Sequence, residues 1–216
     1  MNIRLGVYEI FSRIVPGGFY LAAILQLLVV MGVLQLDWQS VDNVSLLMSL
    51  GLVVVCYILG EAFDMFALAW FRLFKRSGYS ARTFALFKQR HQDRWEIDFK
   101  ENDWPILLAF IRTKNLELAG EIERHNALSI MLRNASLALL LMAINSFIQF
   151  LLVRSEIYIG VALIFLVISL LIIYESIKFR GWFYGSIFET MLAYRIDIED
   201  SIKPLKKPAK PSKGNK

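Results

Sequence analysis

Two carboxylates near the end of an apolar run are the side chains best placed to do chemistry. Glu61 and Asp64 stand three residues apart in GEAFD, inside a hydrophobic stretch that begins at Val44. On an unbroken helix that spacing puts both on one face. Carboxylates so placed could hold a cation or a proton, or form a selectivity ring in an oligomer. They could equally pair with Arg13, Arg72 or Arg133, which fall at a matching distance from their own apolar runs. Unpaired charge next to hydrocarbon is expensive, so pairing that fixes helix packing is the favoured reading.

A second set is polar and, apart from Arg133, uncharged. Arg133 and Asn134 open another apolar run, Asn145 and Gln149 lie one turn apart deeper within it, and Gln26 lies in the first run. They could line a polar path or hydrogen-bond helices to one another. Polar side chains in apolar helices are commonly retained for packing, at well under about 1–2 kcal/mol each, so glue is the expectation. Gly18 with Ala22, Ser45 with Ser49, and Gly181 with Gly185 have the small-xxx-small spacing that lets helices approach, a low-specificity pattern.

Beyond these the chain is poor in catalytic patterns. Its two histidines are His91 and His125, and the nearest approach to a ligand pair is Glu121 with His125 one turn later. With no HExxH or CxxC, no metal site is expected, and no cofactor. No serine sits in a GxSxG elbow and no glycine-rich phosphate loop occurs, so the chain is expected to be non-enzymatic. A third possibility, a membrane enzyme acting on lipid through the two carboxylates, has the least support. Cys56 is the single cysteine and reads as a small buried residue in an apolar run. The glycosylation sequon Asn43-Val44-Ser45 touches the membrane boundary and carries no weight.

The elements that must position these residues follow from hydropathy. The chain has 216 residues, of which 56% are hydrophobic and 20% charged, and its mean hydropathy is +0.50. That is too apolar for an ordinary soluble globule. The pattern predicts an all-α integral membrane protein with four transmembrane helices and a helical insert between the second and third. Residues 1–13 read as an amphipathic helix at the interface, because Ile3, Val7, Ile10 and Phe11 share one side. Residues 14–71 form the first hairpin. Its first span, Ile14–Leu36, is too long for the core of a cleaved signal peptide, and Pro16, Gly17 and Gly18 at its start predict a bend there. The turn DWQSVDN is acidic, and the second span continues as a helix to Trp70.

Residues 72–133 form the insert, too densely charged for hydrocarbon. Ser80 is placed to cap a helix carrying Phe84, Leu86 and Phe87; WEIDFKEND reads as an extended stretch or loop; Asp103 or Asn102 before Pro105 marks another helix start. From Leu116 the helical spacing runs without interruption to Val153, predicting one long helix that rises from the insert into the third span. Residues 134–176 form the second hairpin, whose three-residue turn Arg154, Ser155, Glu156 makes its spans antiparallel neighbours. Residues 177–202 read as an aromatic-rich helix lying on the membrane or against the insert. Residues 203–216 form a disordered basic tail in which Lys203, Lys206, Lys207, Lys210 and Lys213 could bind anionic lipid headgroups.

The two outer turns hold one base between them while nearly all others fall on the opposite side, which predicts both termini and the insert in the cytoplasm of a bacterial inner membrane or plasma membrane. The net charge of +5 is accounted for by this asymmetry, so no nucleic-acid partner is expected. No internal repeat suggests a transporter. The leading functional expectation is a non-enzymatic tetraspan protein that self-associates and engages a cytoplasmic partner through insert and tail, as sensor, adaptor or scaffold. The alternative is an oligomeric ion channel or depolarising effector. Four spans, a cytoplasmic insert and a basic tail together resemble small prokaryotic tetraspan proteins of membrane-linked stress or phage-defence systems, in architecture and not in any residue motif.

Overall fold

A computed structural model describes residues 3–34, 45–74, 78–91 and 99–194. Every regular element among them is helical: α1 (Ile3–Val30), α2 (Leu46–Ala62), α3 (Asp64–Phe74), α4 (Tyr79–His91), α5 (Trp104–Lys114), α6 (Leu116–Val153) and α7 (Glu156–Ala193), with a 3-10 turn at Glu101–Asp103. Three of these helices are long and apolar enough to cross a membrane, or four crossings are available if α2 and α3, bent by 46°, count as one.

The long helix expected from Leu116 to Val153 has those ends. Asn115 starts it by accepting the Leu118 amide at 3.0 Å, which satisfies one of the donors a helix leaves open. Arg154 stops it in the left-handed region, at φ 55°, with its amide on the Phe150 carbonyl. Only two residues separate α6 from α7, so the pair folds back as an antiparallel hairpin.

Four boundaries differ from the sequence reading. The interfacial helix expected over 1–13 is not separate from the first span, because α1 runs unbroken through Pro16. Pro16 is fully buried, and the neighbouring Gly17 lies against the Cys56 backbone of α2, so tertiary contact holds the turn that proline weakens. At its other end α1 stops at Val30, short of Leu36, and the chain turns through Gly32 at φ +71°. The second apolar run is not straight: α2 ends at Ala62, and Phe63 is the hinge to α3. Finally, the fourth span and the aromatic helix expected after residue 177 are one 38-residue helix, α7. Lys178 reaches Glu175 at 2.9 Å across the polar boundary without interrupting the backbone.

The insert therefore has no separate core. Phe87 from α4, Phe99, Leu107 and Ile111 of α5, and Ala119 and Ile122 of α6 close around Phe183, Ile187, Phe188 and Met191 of α7. Of the two positions open to the aromatic segment, it takes the one against the insert. Two expected caps also differ. Ser80 lies inside the first turn of α4 rather than ahead of it, and the Asp103 carboxylate accepts the Lys100 amide at 2.8 Å instead of an α5 donor. Leu86 is exposed. The acidic turn 37–43, the bases Lys75 and Arg76, the first four residues of WEIDFKEND (95–98), residues 195–202 and the lysine tail lie outside the described residues.

Candidate functional site

The hinge at Phe63 separates the two carboxylates: Glu61 is near the end of α2, and Asp64 is the first residue of α3. There Asp64 sits at the positive end of the α3 dipole, where an anion is stabilised. One of its oxygens, Oδ1, is the centre of a cluster. Arg133 Nη2 of α6 donates to it at 2.6 Å, Asn134 Nδ2 at 2.8 Å, and Arg13 Nη1 of α1 stands 2.7 Å away. Arg13 Nε also pairs with Glu61 Oε2 at 3.0 Å. Two guanidinium groups thus balance two carboxylates, and three separate helices, α1, α3 and α6, are tied to one oxygen.

The cluster continues inward through neutral groups. Asn134 is fully buried, and its carbonyl oxygen accepts from the Tyr20 hydroxyl at 3.4 Å. Tyr20 stacks on the hinge residue Phe63 with ring centroids 4.5 Å apart. A carboxylate with this many charge-assisted partners is committed to holding helices. Of the two carboxylates Glu61 is the more open, with 57% of its side chain exposed. Arg72, the third base within reach by sequence, is exposed and forms no ion pair among the described residues.

The remaining sequence candidates divide. Asn145 donates to the Ala23 carbonyl of α1 at 2.8 Å, and Gln26 donates across the same pair of helices to Ser146 at 2.9 Å. Gln149 is half-buried and makes no hydrogen bond among the described residues. The first two join helices, and none of the three converges with Glu61 and Asp64 into one path.

Four residues that the sequence reading left aside hold the α6–α7 hairpin together. Ser129 Oγ donates to the Ser176 carbonyl at 2.9 Å and Ser176 Oγ returns the bond to the Ser129 carbonyl at 2.7 Å. One heptad on, Ser136 and Ser169 exchange the same two bonds at 2.9 and 2.7 Å. Trp70 Nε1 of α3 adds a bond to Ser136 Oγ at 3.0 Å. Ala143 and Ala162, a heptad further along, are buried as well. The available signal was a seven-residue repeat of small residues on both arms of the hairpin, which keeps one seam facing the partner. Among the small-xxx-small pairs singled out above, a Cβ added at Gly181 would meet nothing within 4 Å, and one at Gly18 or Gly185 would meet only ordinary neighbours. The close approaches are instead Gly17 on the Cys56 carbonyl and Gly60 on the Arg13 carbonyl.

His125 packs against Phe179 and Trp182. Burial and the neighbouring Arg124 charge lower its imidazole pKa, against an opposing effect of Glu121. Among the described residues, no three His, Cys, Asp or Glu side chains converge as a metal-binding group. Comparison of the chain with protein-family models, with curated proteins and with solved structures finds no match.

Proposed function

We propose that the chain is a non-enzymatic membrane scaffold that crosses the bilayer four times, with α2 and α3 as one bent crossing, and that presents its insert and basic tail to a cytoplasmic partner. The observation that carries this reading is continuity. The same two 38-residue helices that form the serine-sealed hairpin also supply Ile122, Phe183, Ile187 and Phe188 to the insert core. At 1.5 Å per residue each spans about 57 Å, well beyond about 30 Å of hydrocarbon. A displacement in the membrane would therefore reach the insert through rigid helices, and the reverse.

Proximity labelling from the C-terminus in intact cells tests the reading. Truncation after Ile202, or replacement of residues 78–114 by an unrelated helical pair, is expected to remove the same neighbours from the labelled set. An unchanged set in both variants would sink the scaffold reading. Self-association is expected in native membranes and is measured as the subunit number in native particles. The channel reading loses support from the pairing of Asp64 with Arg13 and Arg133, since a permeation site needs a carboxylate that is free to exchange partners.

A further inference from the structure

Beyond the scaffold reading, and resting on it only for the depth of the site, we infer that a cavity beside the Asp64 cluster binds a phosphate group. The cavity, of about 120 Å3, lies where α3, the start of α4, α6 and α7 meet, and its walls include Gly78, Ser80, Ser129, Arg133, Arg180 and Tyr184. A water occupies about 30 Å3 in the liquid, so the space takes a tetrahedral oxyanion.

Three independent features give it anion chemistry. The first is Arg180. Its guanidinium is fixed by Asn126 and by Tyr184 Oη at 3.3 Å and lies 5.3 Å over the Tyr184 ring. Among the described residues no carboxylate pairs with it, so a positioned cation stands without a counter-charge. The second is Arg133, which gives Nη2 to Asp64 while its Nε is buried with no hydrogen-bond partner. A buried donor of a cation lowers stability unless something accepts from it. The third is the opening of α4: Gly78 at φ +89° turns the chain so that Gly78 and Ser80, at the positive end of a 13-residue helix, line the same space. Arg13 and Arg133 balance Glu61 and Asp64, which leaves Arg180 as the unmatched charge among the residues that line the cavity.

Position narrows the source. Arg133 lies at the start of the apolar part of α6, the level at which headgroup phosphates lie if that part is in hydrocarbon. The ligand chemistry is a phosphate with at least one free anionic oxygen, which a lipid headgroup or a soluble phosphate both supply. A planar guanidinium reads such an oxyanion through paired N–H donors, and an ammonium does so only as a point charge.

The test uses the full-length protein purified in neutral detergent, stripped of lipid, and titrated with phosphatidylglycerol, phosphatidylcholine or inorganic phosphate. Bound lipid is counted by native mass spectrometry and stabilisation is followed by thermal unfolding. Arg180→Gln removes the cation, Arg180→Lys keeps charge without the fork, and Lys178→Gln removes a neighbouring surface base outside the cavity. A lost charge-assisted contact of about 1.5–3 kcal/mol corresponds to roughly 10–100-fold in affinity. Arg180→Gln should lose that much, Arg180→Lys an intermediate amount, and Lys178→Gln nothing measurable. Retention of phosphatidylglycerol or phosphatidylcholine that depends on Arg180 and is undisplaced by millimolar phosphate identifies the lipid source, whereas stabilisation by phosphate alone identifies the soluble one. Equal losses in Arg180→Gln and Lys178→Gln, or no response to any of the three ligands, overturns the proposal. If Arg180→Gln does not fold, the Arg180→Lys and Lys178→Gln comparison decides in the same way. Carbonate extraction of cells reports separately on membrane residence, so a failed scaffold reading would leave the phosphate arm interpretable.

Discussion

The two ends of the α6–α7 hairpin are built on opposite rules. Toward the turn, most of the buried positions are small or polar, among them Ser136, Ser169, Ala143, Ala162, Asn145 and Ser146, with Leu137 and Leu139 the buried leucines, while Leu151, Leu152, Ile157, Ile164 and Leu171 stand on the outside. Leu152 is 66% exposed and Ile157 74%. In the insert the order is reversed, with Phe183, Ile187 and Phe188 buried and Glu121, Arg124 and Glu189 outside. One pair of helices thus carries both patterns. Apolar side chains gain nothing by leaving hydrocarbon for each other, so association there rests on close packing and hydrogen bonds, whereas in water burial of apolar surface dominates. Under the proposed membrane reading, this inversion is the pattern a hairpin standing in two solvents requires, and the change falls between Ile122 and Ser136.

The largest effect is expected where the turn-side bundle depends on backbone proximity alone. A Cβ at Gly17 would lie 1.6 Å from the Cys56 carbonyl oxygen, and its three nearest atoms are all backbone. No rotamer change relieves such a contact, so Gly17→Val must force α1 away from α2 and with it Arg13 from Glu61 and Asp64. Loss of monodisperse protein on size-exclusion chromatography in detergent is expected. Gly181→Val, where nothing lies within 4 Å, should elute as the parent does. Equal behaviour of the two variants would mean that α1 and α2 do not cross as described.

At the insert end a hydrophobic deletion should dominate. Phe188 is fully buried and lies 5.2 to 5.9 Å from the rings of Phe84, Phe87 and Phe99. Truncating such a residue to alanine costs about 3–5 kcal/mol. Phe188→Ala should therefore open the insert to limited proteolysis between α4 and α5 while the turn-side hairpin stays protected in the micelle. If both ends were lost together at the same denaturant concentration, the hairpin would be a single cooperative unit and the two-solvent division would have no energetic counterpart.

How much of this was legible in the sequence divides along the same line. The all-helical class, the long α6 and the tight turn at Arg154 and Ser155 follow from apolar periodicity and its interruption, signals local to the chain. Glu61 and Asp64 were recognisable, with Arg13, Arg72 and Arg133 as candidate partners, because charged residues are conspicuous next to apolar runs, whereas the part of Asn134 in the same cluster was not. What escaped notice were features that exist only between segments. The unbroken course of α1 through Pro16 depends on α2, and the hinge at Phe63 depends on Tyr20 and Asn134. The serine pairs look like ordinary small residues until the hairpin register aligns Ser129 with Ser176 and Ser136 with Ser169. Register is the missing quantity, and a strict heptad on both arms of a short-turn hairpin supplies it.

That register predicts the smallest effect, which is also the most discriminating. Interhelical hydrogen bonds in apolar surroundings average about 0.6 kcal/mol and reach about 1.7. Ser169→Ala should therefore destabilise the hairpin by about 0.6 kcal/mol, and Ser136→Ala by more, since Ser136 also accepts from Trp70. In a double-mutant cycle the two substitutions should show coupling, because each removes a partner the other was using. Ser129→Ala with Ser169→Ala, taken from different pairs a heptad apart, should be additive within about 0.3–0.5 kcal/mol. Coupling in the second cycle and none in the first would place the hairpin in another register, and the seam would have to be redrawn from that result.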